Sequence, residues 1–203
     1  MFGNRFSQMI KGVGSGISNV LFSDNFDRAD NASSMGASWT VVAGTWGVLS
    51  NQGYCAGDQH NAIVTAPVAG LANYTVTADL KADWDAGDGH YNEFYLLVKY
   101  ISDTSLIGVG IEPTRVKLYK ESGTTDDLAS FSGSYADDTF YTVSVVVTGA
   151  NIKVKINGTQ VIDFTLSGGD QTTFGSNSKT GLIHFRAGTP TSVAKVENYS
   201  VTK

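Results

Sequence analysis

The stretch that decides the fold is Ile152-Lys153-Val154-Lys155-Ile156-Asn157-Gly158. Ile152, Val154 and Ile156 alternate with Lys153 and Lys155, the period of a strand with one apolar face and one wet face. The alternation runs straight into Asn157-Gly158, which tolerates the two positive φ angles of a type I′ turn, and so predicts a hairpin to Gln160–Leu166. Upstream, Tyr141, Val143, Val145 and Val147 alternate with Thr142, Ser144 and Thr148. Further back, Tyr74, Val76, Ala78 and Leu80 alternate with Thr75, Thr77, Asp79 and Lys81. Phe94 to Ile101 is richer and more continuously apolar, as expected of a central strand. Additional strands are expected near Trp39–Val42, Trp46–Leu49, Ala62–Ala66, Leu106–Ile111, Arg115–Lys120, Gly181–Ala187 and Val193–Val201. About a dozen short strands divided by Gly, Ser and Asp turns predict an all-β protein of two packed antiparallel sheets.

Composition agrees with that reading. Of 203 residues, 16% are charged, against roughly 25% in ordinary soluble domains, so Ser and Thr must cover the surface. A hydrophobic content of 41% excludes intrinsic disorder, because it can bury a real core. The net charge of −5 and a pI near 5.0 exclude a nucleic-acid binder, which needs a basic stripe to displace counterions. Cys55 stands alone, so no intrachain disulfide can form. The sequence has no run of 18 apolar residues to span a membrane. Gly3, Asn4, Ser7, Gln8, Lys11 and Gly12 interrupt any signal-peptide core, so folding in a cytoplasm is expected.

Residues 1–20 differ from the rest. Phe2, Phe6, Met9, Ile10, Val13 and Ile17 recur at helical spacing, but Gly3, Gly12, Gly14 and Gly16 oppose a helix standing alone. The segment reads as an arm that takes up structure against a partner, ahead of one sandwich domain over residues 21–203.

Two regions resemble the concanavalin A-like (laminin G-like) jelly-roll superfamily. The opening Leu21-Phe22-Ser23-Asp24-Asn25-Phe26-Asp27-Arg28-Ala29-Asp30, with Met35-Gly36, Trp39 and Thr45-Trp46-Gly47-Val48, is similar to that superfamily's entry strands. Phe140 to Gly158, then Thr180-Gly181-Leu182-Ile183 and Val196-Glu197-Asn198-Tyr199-Ser200-Val201, resemble its closing half. The resemblance implies a two-sheet jelly-roll β-sandwich. The opening also resembles minor tail and other virion proteins of phages that infect actinobacteria. That likeness implies a non-enzymatic virion structural protein, a capsid decoration or minor tail component. It would assemble in the host cytoplasm, sit on the virion surface as a homo-oligomer, and bind other virion proteins through its arm.

The superfamily also holds glycan binders and glycosidases, so each chemistry needs its own residues. Glycosidases place two carboxylates across a sugar, and relatives of this fold supply them from alternate positions of one strand. Glu93, Glu112, Glu121 and Glu197 each lack an acidic residue two positions away. The expectation is therefore that the chain is not an enzyme. Scattered His60, His90 and His184 support neither a triad nor zinc, and His184, between Ile183 and Phe185, is expected on a wet face. Cys55, Trp39 and Trp46 read as packing residues. The alternative function is a carbohydrate-binding module for host-wall or environmental glycans, because an exposed aromatic offers a sugar its apolar face. Trp84, Tyr91, Asn92 and Tyr135 are its candidates. No cofactor is expected; for calcium the candidate loop is the one in which Asp83, Asp85 and Asp88 supply carboxylates beside flexible glycines, and Asp24, Asp27 and Asp30 form a second acidic group.

Overall fold

The computed structural model describes residues 19–56, 61–81, 83–84, 91–175, 179–187 and 194–203. The arm residues Phe2, Phe6, Met9, Ile10, Val13 and Ile17 lie outside them, as do Asp85 and Asp88.

The first sheet contains β1 (Val20–Asp24), β3 (Thr45–Leu49), β4 (Gln52–Ala56), β6 (Asn73–Lys81), β12 (Phe140–Thr148), β13 (Asn151–Ile156), β14 (Thr159–Thr165) and β16 (Lys195–Thr202). The second contains β2 (Thr40–Ala43), β5 (Ala62–Ala69), β7 (Asp83–Trp84), β8 (Tyr91–Ser102), β9 (Ser105–Glu112), β10 (Arg115–Ser122), β11 (Thr125–Ser132) and β15 (Lys179–Ala187). Among the described residues there is one short helix, α1 (Gly168–Phe174), which follows β14 and precedes β15. The first sheet runs β14-β13-β12-β6-β16-β4-β3, with β1 on β16. The second runs β11-β10-β9-β8-β15-β5-β2, with β7 on β8. Every pairing is antiparallel, so the two sheets form the expected sandwich. No helix of the described residues is long and apolar enough to cross a membrane.

The turn that anchored the sequence reading is present. Asn157 and Gly158 adopt φ of 48° and 82°, and β13 pairs with β14 across them. The Asn157 side chain also accepts a hydrogen bond from the Thr142 backbone N–H at 2.9 Å, which ties the turn to β12.

The core lies between the sheets. Val76, Ala78, Val143, Val145, Val154, Val196 and Val201 of the first sheet face Phe94, Leu96, Val98, Val109, Val116 and Leu118 of the second. Trp39, Trp46 and Cys55 join them, as their sequence positions predict. Each fully buried aliphatic or aromatic side chain contributes about 1.5–3 kcal/mol, so this layer carries most of the stability.

The second sheet is also apolar on its other face. Successive residues of β8 alternate, with Phe94, Leu96 and Val98 in the core and Tyr95 and Leu97 in a separate cluster. Ile63, Leu106, Tyr119 and Ile183 belong to that second cluster, and Phe185 packs on it. This arrangement corrects the placement of His184. Its apolar neighbours Ile183 and Phe185 fill the outer cluster, so His184 turns inward, 1% exposed, with Phe94 at 5.2 Å and Trp46 at 6.5 Å. Alternation gives the two faces of a strand but not which one is wet, and here neither is.

Candidate functional site

The site begins with two glycines on β9. Gly108 lies opposite Tyr119 of β10, and Gly110 lies opposite Tyr95 of β8. A Cβ on Gly108 would stand 2.5 Å from Tyr119 Cε1, and one on Gly110 would fall inside the Tyr95 ring. The missing side chains let both tyrosine rings lie down on β9. Tyr95, Tyr119 and Phe185 then meet edge to face, with centroids 5.2, 5.0 and 5.8 Å apart, a favoured aromatic geometry.

One two-residue step beyond the Tyr95–Gly110 pair come Glu93 of β8 and Glu112 of β9. The Tyr95 hydroxyl sits between them, 3.2 Å from Glu93 Oε2 and 3.0 Å from Glu112 Oε1. Glu112 is held by cations as well. Arg115 Nε donates to its Oε2, and Lys117 Nζ lies 2.6 Å from its Oε1. Arg115 also reaches Asp127 of β11 at 2.8 Å. The Lys117 ammonium lies 5.5 Å from the centroid of the Tyr95 ring and 5.8 Å from that of Tyr119.

The two carboxyls consequently differ in acidity. Burial pushes Glu93 up to about 7, the negative charge of Glu112 adds to that, and the Tyr95 hydroxyl and the two cations oppose it. Burial acts on Glu112 in the same direction, but hydrogen bonds from Arg115 and Lys117 carry it below its ordinary value. Burial likewise raises Tyr95 and Tyr119, so both keep their phenolic protons. A cavity of about 460 Å³ opens over these groups, lined by Glu93, Tyr95, Glu112, Pro113, Lys117, Tyr119, Thr125 and Phe185.

Of the sequence candidates, the structure describes the backbone of Asp83, Trp84, Tyr91 and Asn92, and the whole of Tyr135. Asp83 pairs through its backbone with Asn92, and Trp84 with Tyr91, so a short strand begins where a loop was expected. These pairs lead directly into Glu93, but the side chains of Asp83, Trp84, Tyr91 and Asn92 are outside the described residues. Tyr135 is half-buried, packs edge-on against Tyr141 at 5.4 Å, and donates its backbone N–H to Pro113 on the cavity rim. Among the described residues no group of three or more His, Cys, Asp or Glu side chains could hold a metal ion. Sequence reasoning set Glu93 and Glu112 aside because it sought acid pairs along one strand. The available signal was Gly108-Val109-Gly110, a pair of same-face glycines that leaves room for rings from both neighbouring strands.

No family model and no curated protein matches the chain. Solved structures do match. The carbohydrate binding module CBM66 from Bacillus subtilis is 18% identical, with a TM-score of 0.65 over 85% of this chain and 98% of that one. SCLam, a non-specific endo-β-1,3(4)-glucanase from family GH16, is 13% identical, with a TM-score of 0.65 over 91% of this chain and 90% of that one. The catalytic domain of a laminarinase from Thermotoga petrophila RKU-1 is 10% identical, with a TM-score of 0.62 over 92% and 98%. These likenesses overturn the ground for expecting a non-enzyme, since solved structures of this fold include glycoside hydrolases as well as a binding module. None of the three is a virion protein. The fold of this chain is the concanavalin A-like jelly-roll β-sandwich, which proteins that bind carbohydrate and enzymes that cut it both use.

Proposed function

We propose that the chain binds carbohydrate in the cavity over β8, β9 and β10. The observation that supports this reading best is the convergence of Phe185, Tyr95 and Tyr119 with the Glu93–Glu112 carboxyl pair on one opening. A sugar presents an apolar ring face and a polar rim, and a site for it combines apolar walls with a few fixed polar groups. The shared fold with a carbohydrate binding module points the same way. Affinity electrophoresis in gels containing laminarin, levan or xylan tests it, with Phe185→Ala as control. Retardation by at least one polymer is expected, and Phe185→Ala weakens it by about tenfold. Equal retardation of the two proteins, or none by any polymer, rejects the reading. Release of reducing ends from the retarding polymer separates a protein that cuts its glycan from one that holds it.

Display on a phage particle through residues 1–20 is a separate proposal, supported by their composition and by the opening resemblance. Deletion of residues 1–18 tests it, since the truncated protein should fold yet no longer join particles.

A further inference from the structure

The Glu93, Tyr95 and Glu112 side chains pose a proton-count problem. Three oxygens stand in a row, with Tyr95 Oη at 3.2 Å from one carboxyl and 3.0 Å from the other. A phenol has one proton to donate, and a carboxylate has none. With both carboxyls ionised, one of the two contacts sets a negative oxygen against a phenolic lone pair in a buried place. Both contacts become hydrogen bonds only when one carboxyl carries a second proton.

Geometry selects the carboxyl. Glu112 takes Arg115 on one oxygen and Lys117 on the other, which suits an ion. Glu93 is 7% exposed, and among the described residues Tyr95 is its one hydrogen-bond partner. The groups around it do not supply a private cation. On β15 the residue opposite is Phe185, and its neighbours His184 and Arg186 alternate to the other face of the sheet, His184 into the core. On β9 it meets Glu112. From β10 come Arg115, Lys117 and the protonated Tyr119, and from β11 Asp127, with both cations already engaged by Glu112 and Asp127.

We infer that Glu93 works as a neutral carboxylic acid that donates a hydrogen bond within the cavity, and that the cavity therefore selects an uncharged glycan. The directed chain runs from Glu93 O–H to Tyr95 Oη, and from Tyr95 O–H to the Glu112 carboxylate. When a ligand oxygen enters, the Glu93 proton turns to it. The charges of the site then cancel, with Arg115 and Lys117 set against Glu112 and Asp127. An anionic sugar finds no unmatched cation among these residues, and an ionised Glu93 would give the site a net negative charge. This inference rests on the carbohydrate reading and adds the protonation state and the ligand class. The burial that pushes the Glu93 pKa up agrees with it.

Calorimetric titration of the full chain and of Glu93→Gln tests it, with laminarin, levan and xylan as uncharged probes and polygalacturonate as the anionic one. Gln is a permanent neutral donor of the same shape. The wild type should bind an uncharged polymer at about pH 5.5 and lose about thirtyfold in affinity by about pH 8.5, as the donor-competent fraction shrinks. Glu93→Gln should bind it equally at both pH values, and polygalacturonate should bind neither protein. Wild-type affinity that holds steady or rises with pH overturns the inference while leaving the carbohydrate reading standing. Loss of binding in a folded Glu93→Gln, or a preference for polygalacturonate, overturns it too. Absence of binding by all three uncharged polymers at low pH rejects the carbohydrate reading, and the ligand assignment with it.

Discussion

Asp24 and Glu93 are two carboxyls withdrawn from water beside aromatic rings, and they end in opposite chemical situations. Asp24 accepts hydrogen bonds from the Phe26 backbone N–H at 2.8 Å, from Trp39 Nε1 at 2.7 Å and from Arg28. Phe26 stacks on Trp39, Arg28 lies over Phe26, and both oxygens of Asp24 are engaged. Glu93 has one hydroxyl, and Glu112 competes for it. A second cavity, of about 300 Å³, does adjoin Asp24, but its charge is already spent on fastening β1 to the loop that follows. A saturated carboxyl holds a fold together. An undersupplied one keeps a proton and has it available for a ligand.

Removing the saturated carboxyl should have the largest effect on stability. Asp24→Ala leaves an indole N–H and a guanidinium without their acceptor and should lower urea-unfolding stability by about 4 kcal/mol. Glycan affinity of the folded fraction should not change. A destabilisation confined to a few tenths of a kcal/mol would erase the distinction between the two carboxyls.

Glu93 should act in the other direction, through pH. Its folded-state value lies above the ordinary 4.5, at about 7. Below about 4.5 both the folded and the unfolded chain hold this proton, and the group is neutral to stability. Between about 4.5 and about 7 the unfolded chain releases it while the folded chain retains it, so stability falls as pH rises, by up to about 3 kcal/mol, and levels off above. Unfolding midpoints of Glu93→Gln should lack that decline. A wild type that gains stability across the same interval contradicts the proton assignment.

Gly110→Ala sharpens the contrast at the level of packing. Its methyl group would occupy the space of the Tyr95 ring. Displacing the ring breaks the link between the carboxyls, with loss of glycan binding and about 2 kcal/mol of stability expected. Smallest of all is Lys120→Ala. Lys120 reaches Asp170 of α1 at 3.0 Å from a half-buried position, and its loss should cost about 1 kcal/mol and leave glycan binding intact.

Local chemistry explains which features could be read from the sequence. The Asn157-Gly158 hairpin, the alternating strands and the core placement of Trp39, Trp46 and Cys55 each depend on near neighbours or on simple burial, and each is legible. The strand β11 was not, because Thr-Asp-Asp-Leu-Ala-Ser-Phe-Ser lacks an apolar face. It is held at the sheet edge by pairing with β10 and by the Arg115–Asp127 and Lys120–Asp126 ion pairs. The helix α1, with two glycines and two threonines in seven residues, has weak intrinsic helix preference. The site was hidden for a further reason. Glu93, Tyr95 and Glu112 meet through the register of two strands, and a register is settled by the whole sheet. Only the glycines of β9 leave a trace of it in the sequence, and they mean little until their cross-strand partners are known.

The most direct measurement is a ¹³C NMR titration of the side-chain carboxyls in the ligand-free protein. Glu93 should inflect near 7 while Glu112 stays ionised down to below its ordinary range. An inflection of Glu93 at or below about 4.5 would show both carboxyls charged at neutral pH, and the donor role assigned to Glu93 would be lost.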